Sequence, residues 1–296
     1  MPAHAGSRSP TGDGRVTART AESHPRLREL MSPAIDRAGD FPATGAHPLR
    51  PVLASVASVA SRAPLATLHR DNHAVWFPGA SLTDPDGPAV ERLLEDAARR
   101  WRLGPHAAAA LAFKGYAWAA TLPVVVGWVL HRRVPLLETA NLRLGIADAL
   151  PYVRFDLADA AVAVLSEDPV ASHPSACAVD DTDALLAAAR TALIDDHLAG
   201  VISALHRATR VGERLLWGSV AESIAQSVLI LPTGAVADAA DTARFLVDAF
   251  GSRLAELVEI VDEPAQPRVR RRTCCLLFTG ADGRAAYCAS CCVTPR

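Results

Sequence analysis

Residues 106–130 read HAAAALAFKGYAWAATLPVVVGWVL. The run is nearly long enough to cross a bilayer, and His131, Arg132 and Arg133 follow it as a juxtamembrane stop would. Against a membrane span, Lys114 stands near the middle, where a charge is costly in lipid, and Gly115 and Pro123 interrupt the run. Core helices can be equally apolar. We therefore read the stretch as buried helices broken near Pro123, with peripheral membrane contact left open.

On either side the pattern is mostly helical. Upstream, Asp84-Pro85-Asp86-Gly87-Pro88 makes a turn and a helix start, and Val90, Leu93, Leu94, Ala97 and Trp101 follow at helical spacing until Gly104-Pro105. Downstream, Val153, Phe155 and Leu157 alternate with Arg154 and Asp156, and Val162 and Val164 keep the period of two, which predicts a short hairpin or small sheet. A helical period resumes after Asp181 through Leu185, Ala189, Leu193, Val201 and Leu205. Further helices are expected from Glu213 to about Leu229 and from about Asp238 to Val261. The fold class is α+β: a mainly helical body with a small β-sheet or hairpin, and a short C-terminal cysteine-rich tail.

The chain has 296 residues, half of them hydrophobic, and a net charge of −2. That supports a sizeable core and gives no global basic field for nucleic acid. All but one of its 30 cationic residues are arginine, the exception being Lys114. A phosphate loop of the G-x-x-x-x-G-K-[ST] type is excluded, because Gly115 follows that lysine. Three regions are expected: a disordered extension over 1–48, rich in Gly, Pro, Ser, Thr and Arg; the body over 49–265; and a tail over 266–296 beyond the Glu263-Pro264-Ala265-Gln266-Pro267 linker. No apolar leader is visible at the N-terminus.

Cys177 stands apart, whereas Cys274, Cys275, Cys288, Cys291 and Cys292 crowd into the tail. A disulfide framework would be spread along the domain it staples. Thiols gathered at one end of a large chain fit a metal-binding segment in a reducing, cytoplasmic setting. Gly280 and Gly283 mark a turn that folds the tail back, bringing Cys274 and Cys275 toward Cys288 and Cys291. Structural zinc favours two C-x-x-C knuckles, and only Cys288-x-x-Cys291 has that form. Adjacent cysteines more easily serve a polynuclear cluster, for which a [2Fe–2S] rhomb held by four thiolates is the natural candidate.

The pattern C-C-x12-C-x-x-C near the C-terminus, preceded by Arg271-Arg272, resembles the C-terminal motif of FhuF-type ferric-siderophore reductases, C-C-x10-C-x-x-C. Weaker echoes of that family's helical body lie at Tyr116-Ala117-Trp118, at Arg132-Arg133-Val134-Pro135, and at Arg214-Leu215-Leu216-Trp217-Gly218-Ser219-Val220-Ala221, so the likeness covers roughly residues 100–296. The resemblance implies a [2Fe–2S] cluster on Cys274, Cys275, Cys288 and Cys291. It also implies an oxidoreductase passing one electron to siderophore-bound Fe(III), releasing Fe(II) in the cytoplasm or at the inner face of the membrane. The two extra central residues fall in the turn, where insertion costs little, and Cys292 competes with Cys291 as fourth ligand.

Such a cluster is anionic, and the arginines at 268, 270, 271 and 272 could raise its potential, dock an acidic donor or attract an anionic chelate. A solvated arginine run on a linker is the equally weighted alternative. Arg271 and Arg272, with Arg214 and Trp217, are the candidate docking residues for substrate or donor. The donor must be external, a ferredoxin or a reductase, because no G-x-G-x-x-G fingerprint occurs. Two other classes stay open: a zinc-stabilised binding or assembly protein, and an iron–sulfur sensor without turnover.

Overall fold

The computed structural model describes residues 47–60, 65–70, 72–263, 266–279 and 287–293. All of the expected extension except its last two residues lies outside these, as does the Gly280–Gly283 turn. Helices α1 (Arg50–Ala60) and α2 (Pro88–Trp101) precede α3 (Pro105–Val126), which the apolar stretch forms and which is the central rod. Every residue of α3 is buried except Pro105, His106, Lys114, Gly115 and Trp118. It is long and apolar enough to cross a membrane, yet 83% of its apolar window is buried inside the fold, so the protein itself supplies the apolar surroundings.

Helix α3 is not broken at Pro123, contrary to the expectation from sequence. Pro123 sits inside the last turn, where its missing N–H costs one bond and tight packing on all sides holds the axis. The distortion comes later, as a π-turn over Gly127–His131. Gly127 allows it, since a Cβ there would lie 2.3 Å from the Arg133 carbonyl.

Strands β1 (Ala66–Thr67), β2 (Ala74–Pro78), β3 (Arg133–Pro135), β4 (Arg143–Ala147), β5 (Val153–Asp156), β6 (Val162–Leu165) and β7 (Ala176–Val179) build two small sheets. Their orders are β1-β5-β4-β2 and β3-β6-β7. The alternating segments are therefore strands, but β5 and β6 do not pair with each other as a hairpin. β5 runs antiparallel to β4, and β6 antiparallel to β3. The period of two revealed the strands and could not reveal partners recruited from elsewhere in the chain. Phe155 of β5 packs edge-on against Tyr116 of α3, their ring centroids 5.3 Å apart. Cys177 lies in β7 and is exposed.

Asp181 caps α4 (Thr182–Arg190) by accepting a hydrogen bond from the Ala184 N–H at 2.8 Å. The helix passes through a π-segment at Thr191–Leu198 into α5 (Ala199–Thr209). Helix α6 (Glu213–Leu229) packs along α3. The helix expected over Asp238–Val261 is shorter: α7 (Ala239–Phe250) stops at Gly251, a one-turn α8 (Ser252–Ala255) follows, and β8 (Val258–Val261) completes the segment. Gly251 has φ +154°, a conformation that side chains strongly disfavour. β8 pairs antiparallel with β9 (Arg268–Arg271), so the arginine run is a strand rather than a solvated linker.

Gly251→Ala should lower stability by about 1–3 kcal/mol, the cost of forcing a side chain into that region. Urea unfolding followed by circular dichroism checks this, and the helical signal before the transition should be unchanged.

Candidate functional site

Two helices and one strand fix the start of the cysteine tail. In β9 the side chains alternate, so Arg268 points out while Val269 and Arg271 point in. Arg271 is among the largest fully buried side chains, with 1% exposure. Its guanidinium donates to Glu222 at 3.2 Å, to the Leu215 carbonyl at 3.0 Å and to Thr273 Oγ1 at 3.0 Å. Leu215, Gly218 and Glu222 lie along α6, and Gly218 lets the tail approach closely: a Cβ there would fall 1.9 Å from Thr273 Oγ1.

Glu222 is the hub. Besides Arg271, it accepts hydrogen bonds from the Lys114 ammonium of α3 and from the Ser290 hydroxyl, which lies between Cys288 and Cys291. Burial alone would push the Glu222 carboxyl up, but Lys114 and Arg271 beside it outweigh burial and hold it below the usual carboxylate range. Two cations around one carboxylate leave a surplus positive charge next to the thiols. The Arg271 N–H also donates to the Ser290 carbonyl at 2.9 Å, and the Cys291 N–H to the Cys288 carbonyl at 3.0 Å. These bonds fix the Cys288–Cys291 turn against β9.

The cysteines arrive in two groups. Cys275 and Cys288 face each other with sulfurs 3.4 Å apart. A shared hydrogen bond with Cys288, aided by Lys114 and Arg271, pulls the Cys275 thiol down to about 6. The same bond, with burial, pushes Cys288 up. Cys274 lies within hydrogen-bonding reach of Cys292 and within electrostatic reach of Cys291, and burial leads the influences that raise its pKa. Cys291 is buried, and its sulfur accepts from the Val293 N–H at 3.3 Å. Among the described residues, no group of three or more His, Cys, Asp or Glu side chains converges tightly enough to hold a single metal ion. Of the four cysteines selected from sequence, Cys275 and Cys288 meet directly, and Cys274 lies near Cys291 with Cys292 as its hydrogen-bonding neighbour. The donor set is soft sulfur throughout, which suits iron–sulfur ligation, and Cys292 stands beside Cys274 as a rival to Cys291.

The docking residues separate. Arg271 cannot meet a partner, because its guanidinium is buried inside the protein; inward alternation in β9 puts it there. Arg272 is exposed, and its N–H donates to the Leu257 carbonyl at 2.8 Å. Arg214 is exposed and Trp217 half-buried, and both line a cleft of about 870 Å³ between α6, α7, α8 and the π-segment after α4. Sequence reasoning missed Lys114, Glu222 and Ser290 as a unit. The signal was there, since the chain's sole lysine sits in an otherwise apolar helix.

Replacing Glu222 with Gln leaves Lys114 and Arg271 facing each other without a counter-charge, which should cost about 3–5 kcal/mol. The depressed carboxyl also sets a pH dependence. Its contribution is complete above the ordinary value of 4.5 and is lost as pH falls through the lower folded value. Urea midpoints measured down the acid range should show this loss in the native chain and not in E222Q.

The comparisons with known proteins bear on the body of the fold. No curated protein matches the chain. The family described as ferric iron reductase FhuF-like transporter matches residues 113–259, from the middle of α3 into β8. The matched segment contains Lys114 and Glu222 and stops short of the cysteines that carry the sequence resemblance. Body and tail thus point the same way from different residues, and it is residues 113–259 that match the FhuF-like family.

Proposed function

We propose that this protein is a cytoplasmic ferric-siderophore reductase. The support for this reading is the paired thiols, Cys275 and Cys288, set 3.4 Å apart beside a cationic anchor, in a chain whose body matches a ferric iron reductase family. Cys274, Cys275, Cys288 and Cys291 would hold a [2Fe–2S] cluster. When bound, it supplies one electron at a time, replenished by an external ferredoxin or reductase, to Fe(III) in the chelate.

The chain's own residues serve that chemistry electrostatically. Thiolates carry negative charge, and adding an electron nearby adds more, which a poorly solvated site resists. Lys114 and Arg271, only half neutralised by Glu222, oppose that cost. Arg272 is the docking candidate nearest the thiols, and Arg214 with Trp217 supplies a second surface. No acid–base residue is required. Hydroxamate or catecholate oxygens bind Fe(III) far better than Fe(II), so accepting one electron loosens the metal.

Anaerobically purified protein, reduced chemically, should lose its reduced-state visible spectrum when mixed with a ferrichrome-like ferric chelate, with Fe(II) trapped by a ferrous-specific dye. Unchanged colour and no trapped Fe(II) would contradict turnover and leave a sensor. Cys288→Ser should lose the iron and the colour; a fully loaded C288S protein would contradict the ligand set.

A further inference from the structure

The cleft beside the tail is built from parts that are distant in sequence. Arg190 comes from the end of α4, Arg214 from the start of α6 and Arg253 from α8, and all three line it. All three are exposed, and among the described residues none makes a salt bridge or a side-chain hydrogen bond. Elsewhere arginines are engaged: Arg133 with Asp168 at 2.8 Å, Arg244 with Asp262 at 2.7 Å and Arg271 with Glu222. Three unengaged guanidiniums on one cavity are donors awaiting acceptors. Glu213, Asp248 and Glu256 line the same cleft, so the formal charges cancel and a highly charged polyanion is not what it suits. Trp217, Phe250 and Leu257 add apolar wall.

The volume of about 870 Å³ is that of a small-molecule site. The cleft also shares backbone with the tail. The Leu215 carbonyl, beside Arg214, accepts from Arg271, and the Leu257 carbonyl accepts from Arg272, two residues before Cys274. Gly218, next to Trp217, abuts Thr273, the neighbour of Cys274.

We infer that this cleft is the seat of the ferric chelate: Arg190, Arg214 and Arg253 donate to the chelate's outward oxygens, and its organic frame lies on Trp217, Phe250 and Leu257. The inference rests on the reductase reading for the identity of the ligand. It places the substrate against α6 and α8, leaving Arg272 and the outer tail to the electron donor.

The test uses the full-length protein and the gallium(III) analogue of ferrichrome, which has the shape of the ferric complex and accepts no electron. Titration calorimetry and tryptophan fluorescence should report binding, with the quenching absent in Trp217→Phe. The double variant R214A/R253A should bind at least tenfold more weakly at an unchanged melting temperature, whereas Arg50→Ala, on α1, should bind as the native chain does. Native-like affinity in R214A/R253A, or no binding by the native protein, overturns the inference. The two readings fail separately. A protein that binds the gallium chelate in this cleft but reduces nothing defeats the reductase and keeps the seat. A reductase whose KM is untouched in R214A/R253A defeats the seat and keeps the reductase.

Discussion

Glu222 is the constraint on which the thiol end of this protein depends. One carboxylate, buried on α6, takes hydrogen bonds from Lys114 of α3, Arg271 of β9 and Ser290 of the cysteine turn. Each of these groups would be costly to bury alone. Together they join the central helix, the last strand and the cysteine turn at one point. Cys275, Leu276, Leu277 and Cys288 of the tail pack against the core. Charge and hydrogen bonds at Glu222 add to that packing, with Gly218 giving the tail room to approach.

The same arrangement has an electrostatic consequence. Two cations and one carboxylate leave positive charge where sulfur ligands and an added electron would bring negative charge. An anchor built from apolar contacts would secure the tail but do nothing for its charge. Anchoring and charge compensation thus fall to the same residues, and a cleft rich in guanidinium groups opens from the next turn of α6. Glu222 and Gly218, which hold the tail, and Arg214 and Trp217, which face the cleft, follow one another along α6.

Much of this was legible in the chain. Helical spacing located α2 and α6, the Asp181 cap marked α4, and the crowding of cysteines marked the tail. What the sequence concealed was long-range. The alternation in β5 and β6 revealed strands but not that their partners are β4 and β3. Pro123 looked like a helix breaker because local rules omit the packing around α3. The continuous period after Asp238 hid the stop at Gly251. Arg268, Arg270, Arg271 and Arg272 were weighed as a charge run, although alternation in a strand sends Arg271 inward. Lys114 counted against a membrane span, and its partner, more than a hundred residues away, was invisible. A pairwise contact of that separation leaves no local signature.

The most direct test is the content of metal and acid-labile sulfide in protein purified without oxygen. This account predicts about two irons and two sulfides per chain, bound by the tail thiols. Stoichiometric zinc without sulfide would contradict it.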